Sequence, residues 1–286
     1  MKATGASVDR PAGGVDVLAR LQDIDPGFRS GRENRFAADV ARGKGAVDDL
    51  LRRLEDGDAE VRSDAAEALG IVGDTRALSP LRTKLKDPDG EVRTNAAVAL
   101  IRIGDEQLFP EVVKSLRHED PRVVIGAAVA LGRLADRRVV PNLVEAFKTE
   151  NPEVGAAVAW ALGQCGDPAA LPWLITAVDQ GFATANACEA LGRIGDPRAQ
   201  PALLKALGSA ADDVRAYAAR ALGLLKHDGD KSGKTRASLM SENKAVPALK
   251  QLLKDRSRKV RLCAAIALYE LGEKLGGEAL VDELQS

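Results

Sequence analysis

Apolar residues along this chain recur with helical spacing in short bursts, and the bursts come in pairs. In the stretch Thr75 to Asp105, Leu78, Leu81 and Leu85 fall three and four apart and predict a first helix. The run Lys86-Asp87-Pro88-Asp89-Gly90 interrupts it, because Pro and Gly beside aspartates favour a turn. Val92, Ala96, Leu100 and Ile103 resume helical spacing in a second helix, and Ala97 and Ala99 are small enough to let a neighbouring helix approach. Gly104 ends that helix. Asp105 then stands where a carboxylate accepts hydrogen bonds from the free amides opening the next one.

The unit recurs. Asp74, Asp105, Asp136 and Asp167 each follow an apolar run and are spaced by 31 residues, a period that marks a solenoid. Each unit is a helical hairpin with one apolar face too many, which it can bury only against the next hairpin. Repeats are expected at 45–74, 75–105, 106–136, 137–167, 168–196, 197–226 and 244–273. The fifth is shorter, with Gln180-Gly181 replacing the longer turn. Before them, 1–14 reads as a disordered segment and 15–44 as a degenerate capping repeat; after them, 274–286 reads as a C-terminal capping helix, with Leu280, Val281 and Leu284 on one face. The repeated aspartates are read as helix caps rather than a row of catalytic acids. Arg62, Arg93, Arg215 and Arg261 are read as rungs pairing with turn acids such as Asp56, Asp87 and Asp255.

The segments VRSDAAEALGIVGD, VRTNAAVALIRIGD and VRAYAARALGLLK resemble HEAT repeats, most of all the short HEAT-like repeats of phycobilisome lyases. The resemblance spans about residues 45–273 and implies an all-α fold, a right-handed α-solenoid of stacked HEAT-like hairpins. Such a scaffold hosts many roles.

Composition agrees with a solenoid: of 286 residues 45% are hydrophobic but only 3% aromatic, so the core must come from Ala, Leu, Val and Ile. A formal net charge of −1 gives no electrostatic case for nucleic acid or membrane as partner. No stretch reaches the roughly 18 apolar residues of a membrane span, and the N-terminus lacks a signal peptide's apolar core, so a cytoplasmic protein is expected. Cys165 and Cys188 take positions filled elsewhere by Ile103 and Ala97 and should be buried; Cys263 aligns with Asn95 and should lie nearer the surface.

Candidate chemistry is sparse. The insertion 227–243 is polar and aperiodic, a surface loop. Its GDKSGKT ends like a phosphate-binding loop, but the first glycine of that motif is Asp228 and no strand precedes it. The same stretch opens like a calcium loop, yet Leu239 stands where the bidentate glutamate belongs. His118-Glu119 is a single His-Glu pair, whereas the HEAT-like deoxyhypusine hydroxylases bind two irons through several. With two histidines in the chain no such site is expected. No catalytic residue, cofactor or metal is assigned.

The solvent side of the second helices carries the functional clue. Along the stack one position reads Glu67, Val98, Val129, Trp160 and Glu189, with Ile125 beside it and Arg102, Arg133 and Arg193 one turn on. An apolar centre with an aromatic anchor and an arginine rim is the composition of a protein interface. The expected function is a non-enzymatic scaffold gripping a helix or extended segment of another protein there. The alternative, implied by the family resemblance, is a phycobilin lyase-like subunit that handles a tetrapyrrole. Nucleic acid binding is disfavoured because Glu67, Glu189 and Glu270 interrupt the arginines.

Overall fold

The computed structural model describes residues 42–105, 107–225 and 244–285. The segment 1–14, nearly all of the capping repeat 15–44 and the insertion 227–243 lie outside the described residues, as does the side chain of Leu284. Among the described residues there are fifteen α-helices and no strand, and the fold is an all-α solenoid. First helices are α1 (Val47–Arg53), α3 (Leu78–Lys84), α5 (Leu108–Ser115), α7 (Val140–Phe147), α9 (Leu171–Gln180), α11 (Gln200–Ala206) and α13 (Ala245–Leu252). They alternate with second helices α2 (Ala59–Val72), α4 (Gly90–Ile103), α6 (Pro121–Leu134), α8 (Pro152–Cys165), α10 (Thr184–Ile194), α12 (Asp212–Leu224) and α14 (Arg258–Glu270). Helix α15 (Lys274–Gln285) closes the stack.

The punctuation is chemical. Asp58, Asp89, Asp120 and Asn151 cap α2, α4, α6 and α8 by accepting from the amide two residues on, at 2.8–2.9 Å. Left-handed Gly73, Gly104 and Gly166 end three of the same helices. Asp74, Asp136 and Asp167 are caps as expected, and Asp196 joins them, but each caps a single 3-10 turn that precedes the first helix, accepting from the amide two residues on at 2.9 Å. Asp105 departs from the expectation: its carboxylate accepts from the Arg82 guanidinium, at 3.0 Å from Nε. The tighter turn tucks Ala77, Val139, Ala170 and Ala199 into the core before the first helix begins.

Second helices pack closely on one another along one side of the stack, while first helices barely touch, so the second-helix row forms the inner side of the arc. Glycine makes that approach possible. A Cβ at Gly70 would lie 2.7 Å from Ala99 Cα, and Gly132, Gly163, Gly192 and Gly223 face Ala161, Ala190, Ala221 and Ala267 with a clearance of 2.7–2.9 Å. The fourth helix breaks the row: Ile101 stands at the glycine position. A branched side chain cannot occupy that clearance, so α4 and α6 pack less closely than any other pair of successive second helices. The two large clusters of the buried core divide at the same place, one from Ala46 to Leu100 and the other from Leu116 to Leu271, and a small third cluster of Leu262, Ala265, Ile266 and Leu280 lies under α15.

Three expectations are corrected. Cys263 is buried, at 8% exposure, because its register position lies between successive second helices; Asn95, its counterpart, is itself buried and donates to Ser63 Oγ at 2.8 Å. Val281 is exposed while Leu280 is buried, since one residue turns a helix by about 100° and only one of the two can face α14. Val98 is buried at 4% exposure, together with its neighbours from Asn95 to Leu100, because the close Gly70–Ala99 contact seats α4 against α2.

Candidate functional site

Where α4 and α6 separate, a cleft of about 830 Å3 opens between the second and third repeats. Leu85, Val112, Ile125 and Val129 supply its apolar wall, and Val123, 37% exposed, stands at its mouth. Ile125 and Val129 are half-buried. The first helix α5 at this junction has no fully buried residue. At the opposite edge a second opening of about 310 Å3 is lined by Ile101, Phe109, Leu134 and Arg138, the Arg138 guanidinium lying 5.3 Å from the Phe109 ring centre. Ile101 is therefore the spacer and the cleft its consequence.

Charge lines the cleft unevenly. Arg93, Arg122 and Arg133 face Glu91 and Asp120. Asp120 is engaged as the α6 cap and by the Arg122 guanidinium at 3.3 Å; the Arg122 amide, helped by that guanidinium, holds its carboxyl below the usual range. Arg133 reaches across from α6 to α4, Nη2 donating to Glu91 Oε1 at 3.3 Å. Its Nη1 is the one buried side-chain nitrogen or oxygen without a hydrogen-bond partner among the described residues. Arg102 is not among the lining residues; its Nη2 donates to the Arg133 carbonyl at 3.1 Å.

The predicted site residues thus divide. Ile125, Val129 and Arg133 meet in the cleft, and Arg102 is bonded to the Arg133 backbone without lining it. Val98 does not reach it. Trp160, half-buried, lies over Gly132, where an added Cβ would meet its ring at 2.6 Å, so it helps fill the α6–α8 contact. Glu189 and Arg193 pair with each other at 2.9 Å and line a separate pocket of about 130 Å3 with Tyr217, Arg220 and Leu224. Glu67, half-buried in the first repeat, lines neither opening. Arg93, Arg122, Leu85, Val112 and Val123 were missed as lining residues. The signal for them was in the register: Ile101 in a column of glycines marks the junction that must open.

The ladder arginines are partly as expected. Arg62 and Arg215 fork onto Asp87 and Asp255 of the following repeat, but Asp56 gives Arg62 its carbonyl, and Arg261 takes Glu283 of α15. Arg93 has no carboxylate, because His118 fills the place of Asp87 one repeat later. Among the described residues no group of three or more His, Cys, Asp and Glu is arranged to hold a metal ion, and no helix is long and apolar enough to cross a membrane.

Stacked two-helix repeats around an open inter-repeat cleft define a helical-repeat protein. The family model described as HEAT repeats matches residues 37–100, 80–150, 109–184, 182–237 and 212–286, and the chain belongs to the HEAT repeat proteins. Similar solved structures include the complex of CpcE and CpcF of phycocyanin lyase from Nostoc sp. PCC7120, at 22% identity and TM-score 0.44 over 79% of this chain and 93% of that one. Human deoxyhypusine hydroxylase is similar at 21% identity and TM-score 0.37, over 90% and 98%. An engineered protein is similar at 22% identity and TM-score 0.44, over 93% and 80%. No protein of the curated set matches the chain in sequence.

Proposed function

We propose that this protein is a non-enzymatic interaction scaffold that seats a helix or extended segment of a partner protein in the cleft between α4 and α6. One observation carries the reading: an apolar wall of Ile125, Val129 and Val112 is left open at the junction of two second helices where Ile101 replaces the glycine. Apolar surface rimmed by arginines is what partner segments cover, and the centre of such a patch carries most of the binding energy. Ile125 and Val129 are the anchors, and Arg102 and Arg133 orient the segment at its edge. Trp160, Val98 and the Glu189–Arg193 pair support the walls of the stack rather than touch the partner. Phycobilin handling, the other reading of the family resemblance, has no residue cluster in its favour among the described residues.

The test is capture of partners by wild type and by Val129→Asp, with circular dichroism confirming helicity in both. A partner held by wild type and lost by Val129→Asp, at a cost on the order of 2 kcal/mol or more, supports the cleft. Unchanged capture by the variant rejects it.

A further inference from the structure

The ladder arginines share one geometry. Arg62 Nη1 donates to the carbonyls of Asp56 and Gly57 at 2.8 and 3.0 Å, which fixes the guanidinium and turns Nε and Nη2 toward the next repeat, where each meets an oxygen of Asp87 at 2.9 Å. Arg215 repeats this on the carbonyls of Ser209 and Ala210, with Asp255 in its fork at 2.8 and 3.0 Å. Arg261 does so with Glu283 of the closing helix. Three times the chain seats a carboxylate in the forward fork.

Arg93 is held in the same way, Nη1 donating to the carbonyls of Asp87 and Pro88 at 2.7 and 2.8 Å. Its forward fork has nothing in it among the described residues. The carboxylate of the next repeat is replaced by His118, whose Nδ1 accepts from the Asp120 amide at 3.0 Å, preserving the turn but offering Arg93 no bidentate acceptor. This exposed fork lines the cleft, while both acids there are engaged, Glu91 by Arg133 and Asp120 by Arg122. The local balance therefore calls for an anion.

Building on the scaffold reading, we infer that the partner segment carries an aspartate or glutamate beside its apolar anchors, and that this carboxylate occupies the Arg93 fork, supplying in trans the rung that His118 omits. The fork is pre-organised, so a bidentate pair forms with little loss of side-chain freedom. Carboxylate is favoured over phosphate because the walls next to the fork are aliphatic and the same fork holds carboxylates elsewhere in the chain.

A displayed library of random peptides, selected on the whole protein, tests this. Peptides whose binding is abolished by Val129→Asp should be enriched in Asp or Glu next to apolar residues. Changing that acid to its amide on the peptide, or making Arg93→Gln in the protein, should each weaken binding about tenfold or more, and together little further. His118→Asp, which returns a carboxylate to the register position, should weaken the same peptides. Val129-dependent peptides without an acid, indifferent to Arg93→Gln, would overturn the inference and leave the scaffold standing. Absence of any Val129-dependent peptide would remove both. Selection of no acidic peptide, with Arg93-dependent retention of a labelled oligonucleotide, would assign the fork to phosphate and overturn the carboxylate.

Discussion

The guanidinium of Arg62 in the first repeat holds both carboxylate oxygens of Asp87 in the second at 2.9 Å, with little of either side chain exposed. The same bond joins Arg215 to Asp255. In both aspartates the arginine hydrogen bonds depress the carboxyl pKa below the ordinary 3.8, burial opposing in part. The unfolded chain then binds more protons than the native one in acid. The stabilisation is complete above 3.8 and is lost as pH falls below it through the lowered native value. Urea melts across that range should show the loss in wild type, and Asp87→Asn or Asp255→Asn should be less stable at neutral pH with a shallower acid slope. An unchanged slope in both variants would count against the ladder.

Glycines in the helices should divide by what they face. Gly132→Ala would drive a methyl into Ala161 and the Trp160 ring and should cost about 1–3 kcal/mol. Gly126, also in α6, has nothing within 4 Å of where its Cβ would stand, so Gly126→Ala should stabilise by roughly 0.5–1 kcal/mol through helix propensity. Thermal melts that fail to give opposite signs would contradict the close-packing account.

The divided core predicts divided unfolding. Native-state hydrogen exchange should show α1 to α4 opening as one unit and α6 to α14 as another, because few contacts cross Ile101. Ile101→Gly should merge the two and protect α6, despite a helix-propensity cost of about 1 kcal/mol. A single exchange unit in wild type would show that the junction is not a break.

Burial pushes the Cys188 thiol up to about 12 and, with the Asp136 and Asp167 charges adding, Cys165 up to about 11. Neither forms thiolate near neutrality. Mass spectrometry after brief iodoacetamide treatment should find both unmodified in the native protein and fully alkylated in denaturant. Native labelling at either would place it at a surface.

Sequence alone was enough for the architecture. A helical hairpin's boundaries are set by local chemistry, namely Asp and Asn caps, Pro-Gly turns and apolar spacing, and its period is a property of the string. The aspartate caps and the burial of Cys165 and Cys188 were legible for that reason. What faces what was not, because a side chain's exposure in a stack depends on how closely the neighbouring repeat approaches. Val98 and Val129 occupy the same register, yet one is buried and the other half-open, since Gly70 draws α2 against α4 while Ile101 holds α6 away. Cys263 was misplaced on the same account. The substitution of Ile101 for glycine and of His118 for aspartate stands in the sequence. Only the tertiary structure turned them into a cleft, because helix separation is fixed by the contact of two elements and not by either alone.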